Sequence, residues 1–220
     1  MITDPAGHGS RTLKDAAVGR SNGKARRTAI ALALAVLAAG PTVRPSDAQD
    51  SIPPGYGSLR RDDVAIRLRT PQVEIQLLPL DEQVIRLLAP DTYRSLTSLL
   101  HARHAALEDA ARRTGVATPT IVMVTFFGVV PQARFVPDDL NITSRGRLFR
   151  PATVVAISPS WSSQQLEARE QAAALYLFDA GIGWAEPLTV SYQGQQSDSW
   201  ARALRLLDRE RARVMAREKP

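Results

Sequence analysis

Two imidazoles and a carboxylate, His101, His104 and Glu108, fall within one short stretch of this chain. On a helix turning about 100° per residue, this spacing puts the three side chains inside roughly 60° of arc. Two ring nitrogens and an oxygen on one face can meet a divalent metal, or pass a proton between imidazole and carboxylate. A divalent metal is therefore the one cofactor the sequence brings forward. Against it, Thr97 and Arg112 share the face, the guanidinium opposes a cation, and the leucines lie on a separate stripe. Ordinary solvated helix surface is the competing reading.

Other chemistry is thinner. His8 is the third and last histidine and precedes the apolar N-terminal run, so His101 and His104 are the imidazoles available to activate a nucleophile. The chain contains no Gly-x-Ser-x-Gly elbow, no phosphate loop and no His-Glu-x-x-His. The adjacent pairs Asp62-Asp63 and Asp138-Asp139 read as turn signals, because neighbours on a strand point to opposite faces. Asp138, Asp139 and Asn141 together offer oxygens to calcium, but lack the spacing and glycine of a recognised loop. Among the aromatics, Trp184 lies in the glycine-flanked segment Gly181-Ile182-Gly183-Trp184 and is the expected exposed contact for a partner or ligand.

The elements that must hold these residues follow from periodicity. Val64, Ile66 and Leu68, then Val73, Ile75 and Leu77, alternate with polar residues as half-buried strands do. Val84 to Leu88 fits either a return strand or a first helical turn. A helix opens after Pro90, with Asp91 or Thr92 as its cap and Gly115 as its stop; it carries the His101 face. Thr120 to Phe127 is apolar and β-branched, the pattern of a buried central strand. Arg134–Thr143 and Leu148–Ser158 are predicted strands about the turn Ser144-Arg145-Gly146. Ser162 or Ser163 caps an expected short helix from Gln164 to Ala174, with Leu175–Phe178 continuing it or forming a strand. Leu188–Tyr192 is a strand. A last helix runs from Trp200 to about Glu218, with Arg205, Arg209, Glu210 and Arg213 on its wet side.

The N-terminus speaks to compartment. Lys24-Ala25-Arg26-Arg27 precedes an apolar run from Ala29 to Ala39, and Ser46-Asp47-Ala48 is a small-x-small site. This is the pattern of a secretory signal cleaved before Gln49. A membrane anchor needs about 20 apolar residues, and Gly40-Pro41 interrupts the run well short of that. Arg26-Arg27 leaves the twin-arginine route open. Residues 1–48 are thus expected to be removed, 49–58 to form a flexible leader, and 59–220 to fold as one α+β domain. The chain has no cysteine, so neither disulfides nor a lipidated thiol contribute. The first 48 residues also hold four of the six net positive charges. The remaining charge is too small for a nucleic-acid footprint.

The segments Phe135–Ile142, Gly146–Pro151, Leu175–Phe178 and Leu188–Val190 resemble the strand order of immunoglobulin-like sandwich domains of exported bacterial proteins. That resemblance implies an antiparallel sandwich-like core, an interaction role, and no catalytic residues. The cysteine–tryptophan–cysteine pattern of such domains is absent, and two long helices lie outside it. The expected fold is therefore α+β: an Ig-like antiparallel sheet core braced by a central and a C-terminal helix. The expected function is a non-enzymatic binding or structural module of the bacterial cell envelope. It would be periplasmic or extracellular, with an envelope protein or glycan as partner, no nucleic acid, and no transmembrane segment after signal removal. The alternative is a small periplasmic hydrolase or metal-dependent enzyme using His101, His104 and Glu108.

Overall fold

The computed structural model describes residues 55–218, so the expected export signal and the first part of the leader lie outside the described residues. In chain order the first half contains α1 (Arg61–Val64), β1 (Ile66–Arg69), β2 (Val73–Pro79), α2 (Glu82–Ile85), α3 (Pro90–Thr114) and β3 (Thr120–Gly128). There follow β4 (Ala133–Arg134), β5 (Asn141–Ser144), β6 (Arg147–Phe149), β7 (Pro151–Ala156), β8 (Gln165–Leu166), β9 (Gln171–Phe178), β10 (Leu188–Tyr192), β11 (Gln195–Ser197) and α4 (Trp200–Glu218). The fold is α+β, with sheets paired antiparallel: a five-stranded sheet β1-β2-β3-β9-β7, a four-stranded sheet β11-β10-β5-β6, and the pair β4-β8. No described helix is long and apolar enough to cross a membrane.

The apolar run 120–127 becomes the middle strand as expected, with Gly128 added at its end. β3 is paired along its length with β2 on one side and β9 on the other, and Val122, Val124 and Phe126 are wholly buried. β8, a turn and the start of β9 replace the helix expected over 164–174. Ala172, Ala173 and Ala174 favour a helix in isolation, but here they complement bulky neighbours on β3, with Ala172 opposite Phe126 and Ala174 opposite Val124. Pairing on both edges outweighs a propensity difference of at most about 1 kcal/mol per residue.

The strand expected over 134–143 is also divided. Pro137 opens a 3-10 turn to Asp139 between β4 and β5, which serve different sheets. Beyond it the turn at Arg145-Gly146 forms as expected, and Gln193-Gly194 makes a second one. Each links two strands through two residues at positive φ (52° and 73°, then 46° and 79°). This is the mirror-image turn whose twist suits a hairpin.

An aromatic cluster on one face of the five-stranded sheet reaches a residue of the four-stranded sheet. Phe126 stacks on Phe135 at 4.5 Å between ring centres and meets Tyr192 of β10 edge-on at 5.6 Å. Trp161 touches Phe126, Phe135 and Tyr176. The phenols are satisfied: Tyr176 donates to the Pro137 carbonyl (3.2 Å), and the Tyr192 oxygen accepts from the Val136 N–H (2.9 Å). Burial pushes the Tyr176 phenol far above its ordinary value and raises that of Tyr192.

α3 covers part of the opposite face. Its start differs from expectation: Ala89 is the cap and Pro90 the first helical residue, whose fixed φ suits that place. Its end is as expected, at Gly115 in the left-handed conformation (φ 72°). Val84–Leu88 resolves into the single helical turn of α2 and the residues that follow it.

The N-terminal strap is fixed earlier than Leu59. A Cβ on Gly57 would stand 1.9 Å from the Leu87 carbonyl oxygen, so glycine alone fits there. Ser58 donates its N–H (2.8 Å) and its hydroxyl (2.9 Å) to Glu210 of α4. Glu210, expected on the wet side of its helix, is 1 % exposed. Its carboxylate is turned inward because these donors, with Arg213 at 3.3 Å, replace the water it gives up.

Candidate functional site

α3 is amphipathic, and Leu96, Leu107 and Ala110 face the protein. Arg103 ties it to the sheet by donating to the Ile157 carbonyl at 3.4 Å. Because α3 stops at Gly115 and β3 starts at Thr120, the short connection turns back along the helix. A groove of about 680 Å³ opens between them. Leu100, Leu107, Ala111, Val116 and Ile121 supply its apolar lining, and His101, His104, Glu108 and Arg112 its polar rim.

The structure thus brings the three candidate ligands to one groove, and corrects their expected separation from the leucines. The rim is pre-paired: His104 Nδ1 is 3.6 Å and Arg112 Nη1 3.9 Å from the same Glu108 oxygen. Arg112 also reaches Asp109 at 3.7 Å. These side chains are mostly in water, where such pairs contribute about 0–1 kcal/mol. Thr97, the hydroxyl of the groove, donates to the carbonyls of Tyr93 and Arg94, so its proton is engaged by its own helix. Among the described residues no group of three or more His, Cys, Asp or Glu side chains is arranged to hold a metal ion. What the rim offers is a neutralised polar border on an apolar trough.

The other sequence candidates separate. Asp138, Asp139 and Asn141 line a polar cavity of about 430 Å³ together with Arg150 and Gln193. Asp139 accepts from Gln193 Nε2 through its carboxylate (3.0 Å) and from Asn141 Nδ2 through its carbonyl (2.9 Å). Asn141 Oδ1 is inaccessible and has no partner among the described residues, so it does not face the cavity. Arg150 works against a divalent cation there. Asp63 accepts from the Arg60 N–H at the start of α1, and Asp62 pairs with Arg67 at 2.9 Å, so this pair does structural work.

Trp184 is not the exposed aromatic expected. It is 8 % exposed, and its ring meets Trp200 edge-on at 5.4 Å. The Trp200 indole N–H donates to the Trp184 carbonyl (3.2 Å), and the Gly183 N–H donates to buried Ser144 (3.1 Å). The glycines that suggested a projecting loop instead let it fold back, and the large apolar ring finds a partner at the start of α4.

Sequence reasoning missed the lining from beyond the helix, Val116 and Ile121. The signal was present: few residues separate the glycine stop from the next strand, which forces the connection to double back. No protein-family model, no curated protein and no solved structure matches this chain.

Proposed function

We propose that this chain is an exported, non-enzymatic binding or structural module of the bacterial cell envelope, with a sandwich-like core of the Ig-like kind. The groove beside α3 carries the reading. Its volume of about 680 Å³ lies in the range of about 300–1,000 Å³ typical of ligand sites, and an apolar trough with a few polar rim groups is the usual form of one. The rim charges already neutralise one another, which favours holding a partner over attacking it. The contact of Phe126 with Tyr192 across the two larger sheets supports the sandwich-like core.

The test is to express the full chain in a bacterial host and fractionate the cells. The expected product begins at Gln49, is found outside the cytoplasm and co-sediments with envelope, whereas Leu100→Arg, which puts a charge in the groove, is released. An uncleaved cytoplasmic product overturns the export reading, and equal sedimentation of the variant overturns the role of the groove.

A second reading, a metal-dependent enzyme, is kept because His101, His104 and Glu108 do line one groove. Metal content after dialysis separates the two. A stoichiometric metal lost in a His101→Ala/His104→Ala variant overturns the first reading and points to metal-dependent chemistry.

A further inference from the structure

Each sheet ends in strands whose outer N–H and C=O groups have no ladder, and proteins blunt such edges with charge, brevity or cover. The two larger sheets here end in β1, β7, β11 and β6. β1 carries Arg67 and Arg69, while β6 and β11 are three residues each, β6 with Arg147. β7 is different. It is six residues long, Pro-Ala-Thr-Val-Val-Ala, and no charge interrupts it. Pro151 and the irregularity between Pro151 and Thr153 blunt only its beginning.

The register shows which groups are open. Ile157 donates its N–H to the Ala173 carbonyl (2.9 Å), so this N–H points toward β9, while its carbonyl accepts from Arg103. Antiparallel strands alternate, so the N–H groups of Thr153 and Val155 point the same way, while Val154 and Ala156 turn their N–H and C=O outward. Ala156 is exposed, and among the described residues no strand lies outside it.

Charge then selects the occupant. Arg150 stands exposed immediately before the strand, and Arg103 reaches Ile157 just after it. Neither has a carboxylate within ion-pairing distance among the described residues. A second copy paired here would bring four guanidiniums to the seam, and Asp138 and Asp139, which share a cavity with Arg150, are not ion-paired with it.

We infer that β7 is an acceptor edge for an extended segment of a partner protein. That segment is an apolar, β-branched run of about five residues with an acidic residue at each end. Main-chain bonds to Val154 and Ala156 would hold it, and Arg150 and Arg103 would set its ends. These residues are separate from the α3 groove, so the inference stands or falls apart from the envelope reading.

The probe is a labelled peptide, Asp-Val-Thr-Val-Thr-Val-Glu, beside a counterpart with lysine at both ends, titrated into the purified full chain by fluorescence anisotropy. Amide exchange is followed in parallel. The acid-flanked peptide should bind, slow exchange at Val154 and Ala156 about tenfold, and outbind the lysine-flanked one about tenfold. Ala156→Pro, which removes an outward donor, should abolish binding with circular dichroism unchanged. Arg150→Glu, on the surface, should erase the peptide preference, since Arg103 still meets the other end, and guards against an Ala156→Pro chain that does not fold. Equal binding of the two peptides, binding by neither, an unaffected and folded Ala156→Pro, or self-association protecting the same amides would each overturn the inference.

Discussion

The two faces of the five-stranded sheet are covered in different ways. On one, Phe126, Phe135, Trp161, Tyr176 and Tyr192 interlock and are each at most 9 % exposed. On the other, α3 covers only part of the sheet, Ile121, Leu99 and Leu100 remain half-buried, and a groove stays open. The same strand, β3, feeds both faces. Stability is therefore concentrated on the aromatic side, which leaves the helix side free to carry an imperfectly covered surface.

The sharpest attempt to break that contrast is a matched pair of truncations. Phe126→Ala should cost about 3–5 kcal/mol, the range for a large buried aromatic, while half-buried Leu100→Ala should cost about 1 kcal/mol, since part of its area is already in water. Urea unfolding of both variants decides it, and equal costs would end the distinction.

Glu210→Ala comes next, at about 2–3 kcal/mol, because it leaves the Ser58 donors without their charged acceptor. Denaturation midpoints, with faster amide exchange at Ser58, are the readout. A neutral result would mean that the strap contributes little to the closed side.

The buried phenols provide a third test. A phenol whose folded pKa is raised supplies stability that is complete below its unfolded value, about 10, and is lost as pH rises from there toward the folded value. Tyr176 is raised chiefly by burial, and Tyr192 likewise. Above pH ~10 stability should fall by up to about 1.4 kcal/mol per pH unit for each such group. Tyr176→Phe should flatten that slope, and an unchanged slope would move the effect elsewhere. Smallest is His101→Ala/His104→Ala, expected to change stability by no more than about 0.5 kcal/mol, as exposed rim residues do; a larger loss in thermal unfolding would make the rim structural.

Those effects also mark what was legible. β3, β10, α3 and α4 follow from patterns contained within each element: apolar runs, alternation, a glycine stop. β9 does not, because what makes Ala172–Ala174 a strand is the pair of neighbours they receive from distant parts of the chain. Glu210 and Trp184 escaped for the same reason. A helical face with arginines at 205, 209 and 213 gives no sign that one acid on it will meet Ser58, and glycines beside a tryptophan suit a projecting loop as well as one folded onto Trp200. Of the candidate site, the shared face of His101, His104 and Glu108 was readable from spacing alone. The trough beneath it needed Ile121, which sits on another element.

The bond from Ser58 to Glu210 joins positions 152 apart in the sequence. A chain that leaves a ribosome N-terminus first presents its strap long before α4 exists to receive it. The central sheet is under a similar constraint, since β3 waits for β9 to arrive. Closing so long a loop early is entropically opposed. The strap therefore closes only after the last helix has emerged, whatever the sheet has done before it.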